Sequence, residues 1–178
     1  MLLALDISTS CTGYCIFDNQ NLIKIGYISL VKKKDFYSKV SEIKSFFNDI
    51  AKEYNIENIA VEENLQAFRP GLSSAKTLMT LAQFNGVVRW VAYETLGHKP
   101  ESINVNTARK SIGLKINKKD KSKTTKEKVL EWVMNQEVDL NFPTKVLKSG
   151  RNKGQVRVCN ESFDMADAYV IGKAYFNM

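Results

Sequence analysis

The sequence is poor in the residues that several common chemistries need. It has three cysteines, Cys11, Cys15 and Cys159, with no CxxC pair, and one histidine, His98. An odd, unpaired cysteine set argues against a disulfide framework and a zinc site, and for reduced thiols in the cytoplasm. His98 falls at a predicted helix end and suits that terminus better than it suits a general base. No window approaches 18 uncharged apolar residues, so no membrane span is expected. The short apolar run at the start lacks a preceding basic region and is interrupted by Asp6, which argues against a signal peptide. Acidic residues are the scarcer charge, 19 Asp+Glu against 26 Lys+Arg.

What is present describes a globular chain: 44% hydrophobic and 25% charged residues over 178 positions suit one domain, 1–178, with a real core. The net charge of +7 is unevenly placed. Arg109 to Lys128 holds nine basic residues against Asp120 and Glu127, and Lys145 to Arg157 holds five with no acid. These segments carry +7 and +5 of the net +7, which leaves the remaining body at about −5. Two basic segments on a mildly acidic body point to a polyanionic partner, above all nucleic acid.

Read in order, Leu2–Ile7 is a short buried strand bounded by Ser8, Thr9 and Ser10. Thr12–Phe17 and Leu22–Leu30 are the next strands, across an Asp18–Asn21 turn, and make an antiparallel meander. Val40, Ile43, Phe46, Phe47 and Ile50 step by three and four, so Phe36–Tyr54 is an amphipathic helix. Ile56–Glu62 is a strand entered from that helix, which implies a crossover and parallel placement. Ser73 or Ser74 caps a helix running to about Leu96, ended by Gly97 and Pro100. Its Leu78, Met79, Ala82 and Gly86 share one face, where small residues let another backbone approach, in the core or at a dimer interface. Ser102–Val105 is a fifth strand and Thr107–Ile112 one helical turn. Asn117–Lys126 reads as a mobile basic loop, and Thr124 or Thr125 opens a helix through Trp132 and Val133. Asn141–Asn160 holds a basic hairpin around Ser149–Gly154, inserted before a last helix from Ser162 to Phe176.

The chemistry rests on acids that apolar surroundings make costly. Asp6 lies in the first strand, and an ionised carboxylate there needs a partner or a metal ion. Glu62 ends the fourth strand behind Ile59-Ala60-Val61. Asp164 and Asp167 sit three apart on one face of the last helix. Acids in a first turn also complement the helix dipole, which accounts for Asp164 alone but not for the acids at two strand ends. A parallel first and fourth strand would set Asp6 beside Glu62, with the last helix adding two more carboxylates. Oxygen-only ligands favour Mg²⁺ or Mn²⁺, and two such ions suit phosphodiester hydrolysis. Glu63 points to the opposite face and reads as a supporting or surface residue. Trp90 and Trp132, in helical patterns, suit core packing or partner contact better than base stacking.

Leu5-Asp6-Ile7-Ser8-Thr9-Ser10-Cys11-Thr12-Gly13-Tyr14 resembles the opening of the RuvC-type Holliday junction resolvases. Ile59-Ala60-Val61-Glu62 is similar to that family's second acidic motif, and the Ala75–Val88 stretch with Gly86 matches the helix after that motif. Asn106-Thr107-Ala108-Arg109-Lys110 falls where the family has a basic loop. Phe163-Asp164-Met165-Ala166-Asp167-Ala168 resembles its closing Asp-x-x-Asp-Ala motif. The resemblance spans nearly the whole chain, in order. It implies a ribonuclease H-like α/β fold, a mixed five-stranded sheet of three antiparallel and then parallel strands flanked by helices. It also implies a homodimer that makes paired nicks across branched DNA under Mg²⁺ or Mn²⁺, with two ions held by Asp6, Glu62, Asp164 and Asp167. Arg109 and Lys126 then serve the transition-state charge, with Lys110 competing for the first role. Phe68, or Leu65, becomes the aromatic-wedge position, and Lys118, Lys119, Lys121, Lys123, Arg151 and Lys153 join Lys110 as DNA contacts. Ser8-Thr9-Ser10 departs from the family's Pro-Gly-rich turn. The long 141–160 insertion is similar to viral and phage members, which can cut other branched DNA as well as four-way junctions.

Three rivals share parts of this pattern. An actin-like ATPase or sugar kinase needs a second Gly-rich phosphate loop and a longer chain. A non-catalytic nucleic-acid-binding module would not need four acids. A ribonuclease H acting on RNA–DNA hybrids uses the same acids on a different substrate.

Overall fold

The computed structural model describes residues 1–63, 74–117, 119–136 and 140–178. Strands β1 (Leu2–Ile7), β2 (Cys11–Asp18) and β3 (Asn21–Ser29) form the expected antiparallel meander. Helix α1 (Phe36–Glu53) returns the chain so that β4 (Asn58–Glu62) pairs in parallel with the other edge of β1. Helix α2 (Ala75–Leu96) leads to β5 (Glu101–Ile103), parallel to β4, and the sheet order is β3-β2-β1-β4-β5. Then come α3 (Val105–Ser111), α4 (Thr125–Met134), a separate two-stranded ribbon of β6 (Thr144–Val146) and β7 (Val156–Val158), and α5 (Glu161–Tyr175). This mixed sheet with helices on both faces is a ribonuclease H-like fold.

Side chains alternate along β1, and both faces are covered, which is why the strand reads as nearly continuous apolar sequence. Leu3, Leu5 and Ile7 face α1 and α2, in a core with Ile43, Phe47, Phe84 and Val88. Leu2 and Ala4 face α5, in a second core with Phe17, Met165 and Tyr169. Each large side chain of this kind, fully buried, contributes about 1.5–3 kcal/mol. Period two then aims Asp6 at the α5 side, and Glu62, two past the buried Ala60, goes the same way.

Two glycines let α5 lie directly on the sheet. A Cβ on Gly13 would stand 2.1 Å from the backbone oxygen of Asp164, and one on Gly172 would stand 2.2 Å from the Phe17 ring. Ser8 closes the β1–β2 turn without proline or glycine. Its hydroxyl donates to the Cys11 carbonyl at 2.6 Å and accepts from the Cys11 amide at 3.1 Å.

Several boundaries differ from the sequence reading. β5 stops at Ile103 because the Asn104 side chain accepts from the Asn106 and Thr107 amides and caps α3, outweighing the strand preference of Val105. The described part of the loop before α4, expected to be mobile, is tied down. Lys128 donates to the Asn117 carbonyl at 2.9 Å, bonds the Asp120 carbonyl, and pairs with the Asp120 carboxylate at 3.0 Å. Lys126 lies inside α4, whose start is set by a Thr124–Glu127 capping box. Along α2 the buried face is Phe84, Asn85, Val88, Val91 and Ala92. The face carrying Met79, Ala82 and Gly86 is exposed, and open space surrounds Gly86, so of its two expected partners the core is excluded. No described helix is long and apolar enough to cross a membrane.

Candidate active site

Three distant parts of the chain meet at one end of the sheet. Leu5 of β1 is in register with Val61 of β4, so Asp6 and Glu62 come next as neighbours on adjacent strands. Gly13 of β2 is in register with Asp6 on the other side, and its missing side chain admits the first turns of α5, which bring Asp164 and Asp167. Both aspartates are largely buried, with 15% and 10% of their side chains exposed. Asp167 accepts from the Arg109 guanidinium at 3.3 Å, and Lys126 stands 3.5 Å from Asp164. Six of the residues singled out in the sequence are thus together: Asp6, Glu62, Asp164, Asp167, Arg109 and Lys126.

The electrostatics are those of acids short of counter-charge. Asp6 is half-buried at the end of β1, and its carboxyl is held far above the ordinary range. Burial is the main cause, then the neighbouring Glu62, Asp167 and Asp164, with Lys126 opposing. Glu62 is raised to about 7, by burial first and then by Asp167, against the pull of Arg109 and Lys126. Asp164 and Asp167 are also raised by burial, against Lys126 for the former and Arg109 for the latter. Burial pulls the Lys126 ammonium down, but Asp164, Asp167 and Asp6 outweigh it and leave it raised. Two cations face four acids, and the carboxyls of all four are raised in consequence of burial and mutual repulsion.

The donor set is all oxygen, which suits Mg²⁺ or Mn²⁺. As the side chains stand, however, no three acids among the described residues converge on one point as metal ligands. Arg109 and Lys126 instead engage the two α5 aspartates. The Arg109 Nε is buried without a hydrogen-bond partner among the described residues, a donor left over beside the cluster.

Sequence reasoning missed one neighbour of this site and left the role of another open. Cys11, read only as one of three reduced thiols, is buried against Asp164, and burial followed by that carboxylate pushes its thiol far up. Of the two readings open for Glu63 the structure takes the supporting one: it accepts from the Asn104 side chain at 3.0 Å and so ties the end of β4 to the start of α3, which carries Arg109. A cysteine opening a strand and an acid beside an acid are local features, and neither specifies a distant partner. Lys110 lines a cavity of about 360 Å³ beside the cluster, with Asn106, Arg109, Lys115 and Thr125. Lys119, Lys121 and Lys123 precede α4, where Lys123 pairs with Glu131 at 2.7 Å. Arg151 and Lys153 lie on the loop of the β6–β7 ribbon, not among the carboxylates. Phe68, Leu65 and Lys118 lie outside the described residues.

No family sequence model matches the chain, and no curated protein sequence matches it. Solved structures do. T. thermophilus RuvC in complex with a Holliday junction substrate aligns with a TM-score of 0.63 at 14% identity, over 98% of this chain and 92% of that one. The fold is that of RuvC. A second T. thermophilus RuvC structure aligns with a TM-score of 0.58 at 15% identity, over 98% and 93% of the two chains. The yeast mitochondrial Holliday junction resolvase Ydc2 aligns with a TM-score of 0.55 at 17% identity, over 99% of this chain and 77% of that one. The likeness in fold therefore spans nearly the full length of the chain, including the α5 helix that completes the acidic cluster.

Proposed function

We propose that this chain is a structure-specific DNA endonuclease that resolves four-way junctions and related branched DNA by paired phosphodiester hydrolysis, acting as one nuclease domain over 1–178 in the cytoplasm. The observation that carries this reading is the meeting of Asp6, Glu62, Asp164 and Asp167, all raised in pKa, on a protein of net charge +7. The RuvC-like fold adds to it, since one of the similar proteins is bound to a Holliday junction substrate.

The four acids would hold two Mg²⁺ or Mn²⁺ ions, which supply Lewis-acid stabilisation to a phosphodiester under attack by water. To hold ions, the Asp167 and Asp164 carboxylates would have to turn away from Arg109 and Lys126. Arg109, with its spare Nε donor, and Lys126 are then available to the charge that develops on the phosphate. Lys110 and Lys115, on the adjoining cavity, hold flanking phosphates of the same strand, and Lys119 and Lys121 extend that track. Two nicks in a symmetric junction need two sites. The exposed stripe of Met79, Ala82, Gly86, Trp90 and Tyr93 on α2 supplies a face for a second copy. Its small central residues leave room for the large ones of a partner helix.

The unconverged acids favour one other reading, a module that binds branched nucleic acid without cutting it. A cleavage assay on four-way junction, Y-fork, duplex and RNA–DNA hybrid, with Mg²⁺ and with Mn²⁺, separates the possibilities. We expect cleavage of the branched DNAs, with paired nicks in the junction, and its loss in Asp6→Asn with junction binding retained. Binding without cleavage under either metal would establish the module instead, and preferential cutting of the hybrid would establish a ribonuclease H.

A further inference from the structure

Lys145, Lys148, Arg151, Lys153 and Arg157 lie on or beside the β6–β7 ribbon, and all five are exposed. None of them forms an ion pair among the described residues, and no acid lies between 145 and 157. The register places Lys145 directly opposite Arg157. Like charges in that position repel across a strand pair; Glu127 of α4 feels Arg157 without forming an ion pair with it, so the Lys145–Arg157 face is an arrangement that an anion would relieve. Alternation puts this pair on one face and the exposed Val146–Val156 pair on the other, which marks the first face as the one for a polyanion. Gly150 and Gly154, both with positive φ, turn the loop and hold Lys148, Arg151 and Lys153 at the far end.

The ribbon is also firmly rooted. The Cys159 amide donates to the Pro143 carbonyl at 2.8 Å, the buried Ser162 hydroxyl donates to the same oxygen at 3.1 Å, and Phe142 and Val158 pack into the core. Its root is therefore the start of α5, the helix that carries Asp164 and Asp167. The three-residue ladder spans about 10 Å, about three base pairs of duplex, before the loop is counted.

We propose that this ribbon is a clamp on the phosphate backbone of one duplex arm beside the cut, set in position by α5. The inference rests on the nuclease reading and adds a second, separate DNA contact to it. A free acidic protein would satisfy the charge too, but the shared root with the acidic site favours the DNA arm.

The test uses the full chain as Asp6→Asn, which keeps the junction intact, and measures junction affinity from 50 to 200 mM salt. One variant adds Lys145→Gln with Arg157→Gln, and another replaces residues 148–153 by an Asn-Gly turn. The slope of log affinity against log salt should become shallower by about 1.8 in the first and about 2.7 in the second, about 0.9 for each phosphate no longer neutralised. The first variant removes a repulsion, so its melting temperature should not fall. Unchanged slope and affinity in both variants would overturn the clamp and leave the acidic site standing. Failure of the Asp6→Asn parent to bind the junction would overturn both.

Discussion

The two basic segments have similar composition and opposite situations. Between Arg109 and Lys128 four of the nine cations are answered by acids: Arg109 by Asp167, Lys123 by Glu131, Lys126 by Asp164 and Lys128 by Asp120. Between Lys145 and Arg157 no ion pair forms among the described residues, and two cations are placed face to face. Charge count alone would have ranked the first segment as the stronger DNA surface. The structure instead makes four of its nine cations counter-charges of the protein's own acids, and leaves Lys110, Lys115, Lys119 and Lys121, with the whole of the shorter segment, outside such pairs among the described residues.

The sharpest way to break this contrast is at Arg109. If the tied cation serves the chemistry, Arg109→Ala should lower the cleavage rate by roughly 10²–10³-fold while junction affinity stays within about threefold. Arg109→Lys should recover part of the rate, since a point charge replaces a fork. A drop in affinity with a full cleavage rate at saturation would make Arg109 a plain DNA contact and erase the distinction.

The second measurement asks whether two cations suffice for four acids. The Glu62 carboxyl sits at about 7 against an ordinary 4.5, so the folded state binds its proton more tightly than the unfolded state does. Its contribution to stability is then full below about 4.5 and is lost as pH rises through about 7, worth on the order of 3 kcal/mol. In chelator, denaturant unfolding should show lower stability at pH 8 than at pH 5, and Glu62→Gln should flatten the difference. A rise in stability over that interval would mean that Arg109 and Lys126 already neutralise the cluster.

The smallest effect is expected at Lys123. Its pair with Glu131 is about half exposed on both sides, and such pairs contribute about 0.2–1 kcal/mol. Lys123→Gln should shift the unfolding midpoint only slightly and leave the salt dependence of junction binding nearly as it was. A slope change as large as that of the ribbon variants would return Lys123 to the DNA surface.

Much of this molecule is decided by local sequence. The nearly continuous apolar run of Leu2–Ile7, the three-and-four spacing of α1, the Ser74 and Thr124 caps and Gly97 at the end of α2 are short-range rules, and the elements obey them. The order of the strands and the four acids could be read as well, because crossover and meander connections leave few arrangements. What local sequence could not decide depends on which surfaces meet. Gly13 looks like any strand glycine until α5 lies 2.1 Å from where its Cβ would be. The Met79–Gly86 face and the Phe84–Val88 face of α2 are both apolar enough to be core, and only packing against α1 and the sheet chooses the second. Lysines, too, are alike in sequence. Whether one is a counter-charge or a free contact depends on an acid tens of residues away, as Asp167 is for Arg109 and as nothing described is for Lys145.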